Sequence, residues 1–385
     1  MQDDILQEQS GKIIDVVEDF VCPQQTDGYR TAFRNWRRRR GNPYALCFTR
    51  NPKESSFSED RTAVKETPAH AEQAVLGRLG YLIGFALLMY PFVEYVLQWV
   101  TVTVLQATGA HIEMVFWGRS QLFGNEQAVF WLAAVLYVLK YSVPALAIAV
   151  MLRLPLRVAY PMHLHSQEML LHGFGGMLMV SALTGALFIR HSADLERYRV
   201  LSDGSTDSDS RLVVYLLLSI FVLPLAAEIL LHGPLFQVLR QFGDGFAAIT
   251  VSLLAALLMH HAADGIRMGL VTLVLSYYLL RTGSFWAAAC LRVVHEIFLF
   301  GLYCLGAFGE MYTLRWWLTL LIPFLIGAAI MLLAGRLAGN ARRPGYRNRT
   351  YLRSYEKGYA MFTTLPMAAF VLVSMVLTVT TAMLG

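Results

Sequence analysis

After residue 76 the chain is built almost entirely of apolar runs long enough to cross a membrane, and this limits its fold more than any other feature. The hydrocarbon core of a bilayer is about 30 Å thick and takes about 20 apolar residues of helix. Inside it every backbone N–H and C=O must find a partner within the protein, so only helices and closed barrels span it. These runs are continuous and lack the apolar–polar alternation of barrel strands. Composition agrees, with 56% apolar and only 15% charged residues, where a soluble domain carries about 25% charged. The expected fold class is therefore all-α, a polytopic transmembrane helical bundle, and an ordinary soluble protein is excluded.

Nine helical spans are predicted, at about 79–106, 127–152, 167–189, 211–241, 246–263, 265–281, 284–305, 315–338 and 360–384. They divide into three helices within 77–210, a core within 211–305 and two helices within 306–385. Residues 1–76 read as a polar and basic region, a small helical arm followed by a flexible tether. It has an amphipathic patch (Ile13, Ile14, Val16, Val17, Phe20), the stretch RTAFRNWRRRR, and a Ser/Thr/Glu-rich tether. A basic cluster such as Arg37 to Arg40 beside a membrane span meets anionic headgroups. Membrane lipids are therefore expected partners and nucleic acid is not, although the net charge is +5.

Arginine and lysine orient the bundle. With a cytoplasmic N-terminus, most of the 32 Lys and Arg fall in cytoplasmic segments, including the 336–357 loop, while the Asp-rich 193–210 segment falls outside. Nine crossings then put the C-terminus outside, in a multi-pass protein expected in a bacterial plasma membrane. The N-terminal residues lack the basic-then-apolar order of a cleavable signal peptide, so the first span is expected to stay as an anchor. The four cysteines show no CxxC and no metal-ligand spacing and are expected as free thiols.

Ionisable groups at mid-bilayer ask for a partner or a function. Glu228 and His232 lie in the fourth span, His260 and His261 end the fifth, and Arg292, His295 and Glu296 lie in the seventh. Glu94 and Lys140, near mid-span of the first two helices, are expected to pair with each other, and Arg292 with Glu296 one turn on. His163, His165 and His172 read as interface histidines. At 1.5 Å per residue, Glu228, His260 and His295 all lie roughly 17–21 Å from the cytoplasmic ends of their helices. A carboxylate and two imidazoles at one level could ligate a metal with an open position or activate water directly. They could equally hold the bundle together by hydrogen bonds across helix interfaces.

The order of these residues resembles the CAAX-protease and bacteriocin-processing (CPBP, or Abi) family of intramembrane endopeptidases, whose pattern runs EExxxRG, FxxxH, HxxxN. Here AEILLHG (Ala227 to Gly233), AALLMH ending at His260, and LRTGSFWAAACLRVVHEIFL around His295 take those places. The chain departs from the pattern at Ala227 for the first Glu, His232 for Arg, Ala256 for Phe and Leu299 for Asn. The resemblance implies cleavage of a membrane-bound or lipid-linked peptide or protein by activated water. Glu228 would be the general base, with His260 and His295 as oxyanion donors or metal ligands and His232 as tuner of Glu228. Zinc held by Glu228, His260 and His295 is one form of that site. His261 competes with His260 for the family histidine. The losses also allow an inactive relative serving in bacteriocin immunity or as a membrane scaffold, and Glu94 with Lys140 would suit a transporter.

Overall fold

A computed structural model describes residues 12–15, 24–39, 42–50, 68–116, 120–124, 126–188, 213–214, 216–304, 314–339 and 350–384. Eight of its helices are long and apolar enough to cross a membrane, and the chain is an integral multi-pass helical bundle. Two short antiparallel strand pairs are the only sheet among the described residues: β1 (Lys12–Asp15) with β2 (Cys47–Arg50), and β3 (Ile112–Phe116) with β4 (Ser120–Gly124). The patch beginning at Ile13 therefore starts as a strand where a helical arm was expected. Of the tether predicted at 51–68 all but Pro68, and the whole Asp-rich 193–210 segment, lie outside the described residues.

Helix α1 (Asp27–Arg37) is the helical part of the arm. Helix α2 (Pro68–Pro91) runs through a π-helical turn (Phe92–Leu97) into α3 (Gln98–Ala107). Then come α4 (Glu126–Met151), the short α5 (Leu156–Ala159) and α6 (Gln167–Phe188). Helix α7 (Leu223–Leu230) is flanked by π turns Leu218–Val222 and Leu231–Leu235, and α8 (Phe236–Leu239) follows. The remainder is α9 (Asp244–Leu257), α10 (Ala262–Thr282), α11 (Phe285–Cys304), α12 (Leu314–Ala338), α13 (Ser354–Phe362) and α14 (Leu365–Leu384).

The predicted fifth span is the exception to the expected pattern of nine. Helix α9 has 14 residues, about 21 Å of rise, which falls short of a bilayer core. It packs along α10 as a hairpin. Gly265 and Gly269 of α10 lie against Ala256 and Ser252, so the two backbones come close. The hairpin turns at 258–261, and this places His260 inside the bundle rather than at its surface.

Several contacts gather the segments expected on the cytoplasmic side at one end of the bundle. Tyr29 donates to Gln237 Oε1 at 2.8 Å, and Trp36 Nε1 to the Leu152 carbonyl at 2.9 Å. The His165 amide donates to Thr282 O at 2.8 Å and the Phe285 amide to Pro161 O at 2.6 Å. Gln25 reaches Gly283 O at 2.8 Å, and Lys357 reaches Phe242 O at 2.6 Å. Burial lowers the Lys357 pKa from the ordinary lysine value, with Glu72 opposing the shift. Arg37, expected among lipid headgroups, is instead buried with Tyr29, Phe33 and Trp36, while Arg38 and Arg39 stay exposed.

Within the membrane, α6 packs against α10, α11 and α12, while α2 packs against α4, α13 and α14. Helix α7 joins the two groups through α4 and α11. The main core therefore runs from Leu79, Ile83 and Leu87 of α2 through Tyr141 of α4 to Leu230 on α7, Leu231 in the π turn after it and Val251 on α9.

Candidate active site

The ionisable residues of the bundle sort into clusters, two of them at a local break in a helix. Pro91 cannot supply the amide that would continue the α2 hydrogen-bond ladder, and the chain widens there into the π turn that holds Glu94. The turn sets Glu94 Oε1 3.1 Å from Lys140 Nζ on α4 and Glu94 Oε2 3.3 Å from His260 Nδ1 at the α9–α10 turn. The Lys140 ammonium sits over the rings of Tyr137 at 4.6 Å and Tyr90 at 5.0 Å. Edge-on packing of Tyr90 against the His260 ring at 5.8 Å closes the cluster.

His260 has φ +51°, a left-handed conformation that strains a residue with a side chain. Its ring is 3% exposed, and its Nε2 is buried without a hydrogen-bond partner. Glu94 and Lys140 are more open, with side chains 22% and 14% exposed. The adjacent His261 turns the other way and lies 3.1 Å from Asp264 in the first turn of α10.

From Asp264 a second chain of contacts crosses the bundle. Asp264 Oδ1 lies 3.3 Å from Arg267 Nη2, and Arg267 Nη1 lies 3.2 Å from His295 Nε2 on α11. His295 Nδ1 meets Ser181 Oγ of α6 at 2.8 Å. Because a guanidinium only donates, His295 Nε2 accepts there and Nδ1 carries the hydrogen toward Ser181. One turn N-terminal to Glu296, Arg292 forms the expected local pair, at 3.0 Å.

The third cluster holds Glu228, whose Oε2 is hydrogen-bonded to His232 Nδ1 one helical turn away. His232 precedes Gly233, whose non-helical backbone breaks the helix before Pro234. His232 Nε2 lies 3.0 Å from Ser276 Oγ on α10. Hydroxyl, imidazole and carboxylate stand in the order of a nucleophilic triad. Both His232 nitrogens are engaged and all three side chains are buried, so the arrangement joins α7 to α10.

The structure thus brings Glu228 to His232, His260 to Glu94, and His295 to Ser181 and Arg267. It does not gather Glu228, His260 and His295 around one point. No group of three or more His, Cys, Asp or Glu side chains among the described residues is placed to hold a metal ion. Both nitrogens of His295 are engaged, and the one turned toward α10 faces a cation. The donor set does not fit zinc, and no step is assigned to a metal.

Glu94 is the site residue that sequence reasoning placed elsewhere, as a structural partner of Lys140. That pairing is present, but the carboxylate's other oxygen faces His260. The signal in the sequence was a proline three residues before a carboxylate in an otherwise apolar run. His172 meets Tyr278 at 2.9 Å, an interface role, and Cys290 is a free thiol facing outward.

The described residues thus form a polytopic helical bundle with clusters of buried imidazole and carboxylate groups among its helices. Residues 209–298 match the family model of type II CAAX prenyl endopeptidases, Rce1-like. The match spans roughly a quarter of the chain and coincides with the region whose motifs resemble the CPBP family. It includes α7, α9, α10 and the histidine-bearing part of α11. No curated protein and no solved structure gave a match.

Proposed function

We propose that this protein is an intramembrane endopeptidase that hydrolyses a peptide bond in a membrane-bound or prenylated substrate, with water activated at His260. The observation that carries this reading is the state of the three motif histidines. His232 and His295 have both ring nitrogens engaged, whereas His260 keeps a buried Nε2 without a partner. A general base needs a free lone pair within reach of the proton it takes. In the Rce1-like region His260 has one, beside a carboxylate and at a strained turn. Glu228, first read as the base, gives one oxygen to His232 and keeps the other buried without a hydrogen-bond partner, and on this reading it is a positioning group.

The reaction runs in two stages, addition of water and expulsion of the amine. A water proton passes to His260 Nε2 while the water oxygen bonds to the scissile carbonyl carbon, and the carbonyl electron pair moves onto its oxygen. When that pair returns, the C–N bond breaks and the proton on His260 passes to the leaving amine. The test is cleavage of a prenylated CAAX peptide by purified protein in nanodiscs. Wild type should cleave it, and His260→Ala should lower kcat by ~10²–10⁴-fold while the protein stays folded. Equal rates for the two proteins would overturn the assignment.

A second reading has its own observation. Ala227 stands at the first carboxylate of the motif and Glu228 is fully buried in a pair, as in a non-catalytic relative that serves as an immunity protein or scaffold. On that reading wild type cleaves no peptide, and loss of His260 appears only as a lower melting temperature.

A further inference from the structure

We infer that Glu94, carried into the bundle by the π turn of the first span, is the positioning carboxylate of His260 and replaces the glutamate that this chain lacks at Ala227. The inference rests on the endopeptidase reading above and adds a residue outside the region of family resemblance.

Three observations converge on Glu94. Its Oε2 lies 3.3 Å from His260 Nδ1, an ion-pair separation. The carboxylate beside Nδ1 favours the hydrogen on that nitrogen, which leaves the lone pair on Nε2, the nitrogen that is buried and without a partner. A carboxylate behind the imidazole also stabilises the positive charge that develops when Nε2 takes the water proton.

The second observation is that Glu94 is itself held. Lys140 Nζ lies 3.1 Å from Oε1, and the ammonium rests over Tyr90 and Tyr137. One oxygen faces the cation and the other the imidazole, so rotation of the carboxylate away from His260 would break the Lys140 contact.

The third is geometric. An uninterrupted α-helix turns 100° per residue, and the π turn inserts extra backbone just where Glu94 must face both α4 and the α9–α10 turn. Pro91 gives that break a covalent cause. A carboxylate present only as counter-ion to Lys140 would not require the neighbouring strained histidine with a free nitrogen.

The two roles of Glu94, partner of Lys140 and partner of His260, are separable by removing both charges. We would measure kcat, KM and melting for wild type, Glu94→Gln, Glu94→Asp, Lys140→Met and the double variant Glu94→Gln/Lys140→Met on the prenylated peptide. Glu94→Gln should lower kcat by ~10²–10³-fold with KM changed by less than about three-fold. Glu94→Asp keeps the carboxylate and should recover activity to within about ten-fold of wild type. The double variant contains no unpaired buried charge and should melt near wild type, yet remain as slow as Glu94→Gln. If Glu94→Gln alone does not fold, the double variant carries the comparison. Recovery of wild-type kcat in the double variant would overturn the inference and leave the endopeptidase reading standing. Absence of cleavage by wild type would overturn both.

Discussion

A buried charge is tolerated only with its partner, and this sets what single substitutions at the motif residues should do. Glu228 and His232 are fully buried and face each other. His232→Ala leaves a carboxylate in a low-dielectric interior and is expected to cost on the order of 3–5 kcal/mol, read as a lower melting temperature in detergent. The rate per folded molecule should change far less than with His260→Ala. An unchanged melting temperature would mean that the pair is not desolvated as the structure places it. The identities of Glu228, His232, His260 and His295 were legible because charges stand out in an apolar run. Their partners were not, apart from those one helical turn away. Arg292 with Glu296 follows from i,i+4 spacing. Glu94 with His260 depends on how α2 and the α9–α10 hairpin pack, and Ser181 and Ser276 carry no charge to mark them.

At the level of elements, the membrane helices were legible from their apolar length and their irregularities were not. A window of hydropathy cannot separate a full crossing from the 14-residue α9, because the apolar residues of the following turn extend the run to the same length. Nor does it show that Pro91 yields a π turn rather than a simple kink, since neighbouring helices decide how the freed backbone groups are satisfied. Small residues, by contrast, mark where helices touch. Gly175 of α6 and Gly327 of α12 face each other so closely that a Cβ on either would lie 2.5 Å from the carbonyl oxygen of the other. Close backbone approach of this kind is a main source of helix association in lipid. Gly175→Val and Gly327→Val are each expected to destabilise by about 1–3 kcal/mol, with the loss seen as a lower melting temperature in detergent. Tolerance of valine at both positions would show that α6 and α12 do not meet there.

Across the whole molecule, charge distribution and contacts agree on which segments share an end. The sequence places 153–166, 242–245, 282–283 and the 336–357 loop on the cytoplasmic side, and the contacts of His165 with Thr282, Pro161 with Phe285 and Lys357 with Phe242 join those segments in pairs. Single cysteines at Arg157 and Glu356 in an otherwise cysteine-free protein should therefore react from the same side of sealed vesicles, and one at Gly109 from the opposite side. Labelling of Arg157Cys and Gly109Cys from one side would contradict the topology. The same arrangement puts His260 about 21 Å from the cytoplasmic start of α9, so a substrate must enter the bundle to reach it. The central claim is that peptide hydrolysis occurs there with water as the nucleophile. Its most direct test is cleavage of the prenylated peptide in water enriched in heavy oxygen, by wild type and by His260→Gln, with mass spectrometry of the fragments. One heavy oxygen atom in the new C-terminal carboxylate of the wild-type product, with the product nearly absent for His260→Gln, is the expected result. Intact peptide after incubation with folded wild-type protein, or the same labelled product at the same rate from His260→Gln, would contradict it.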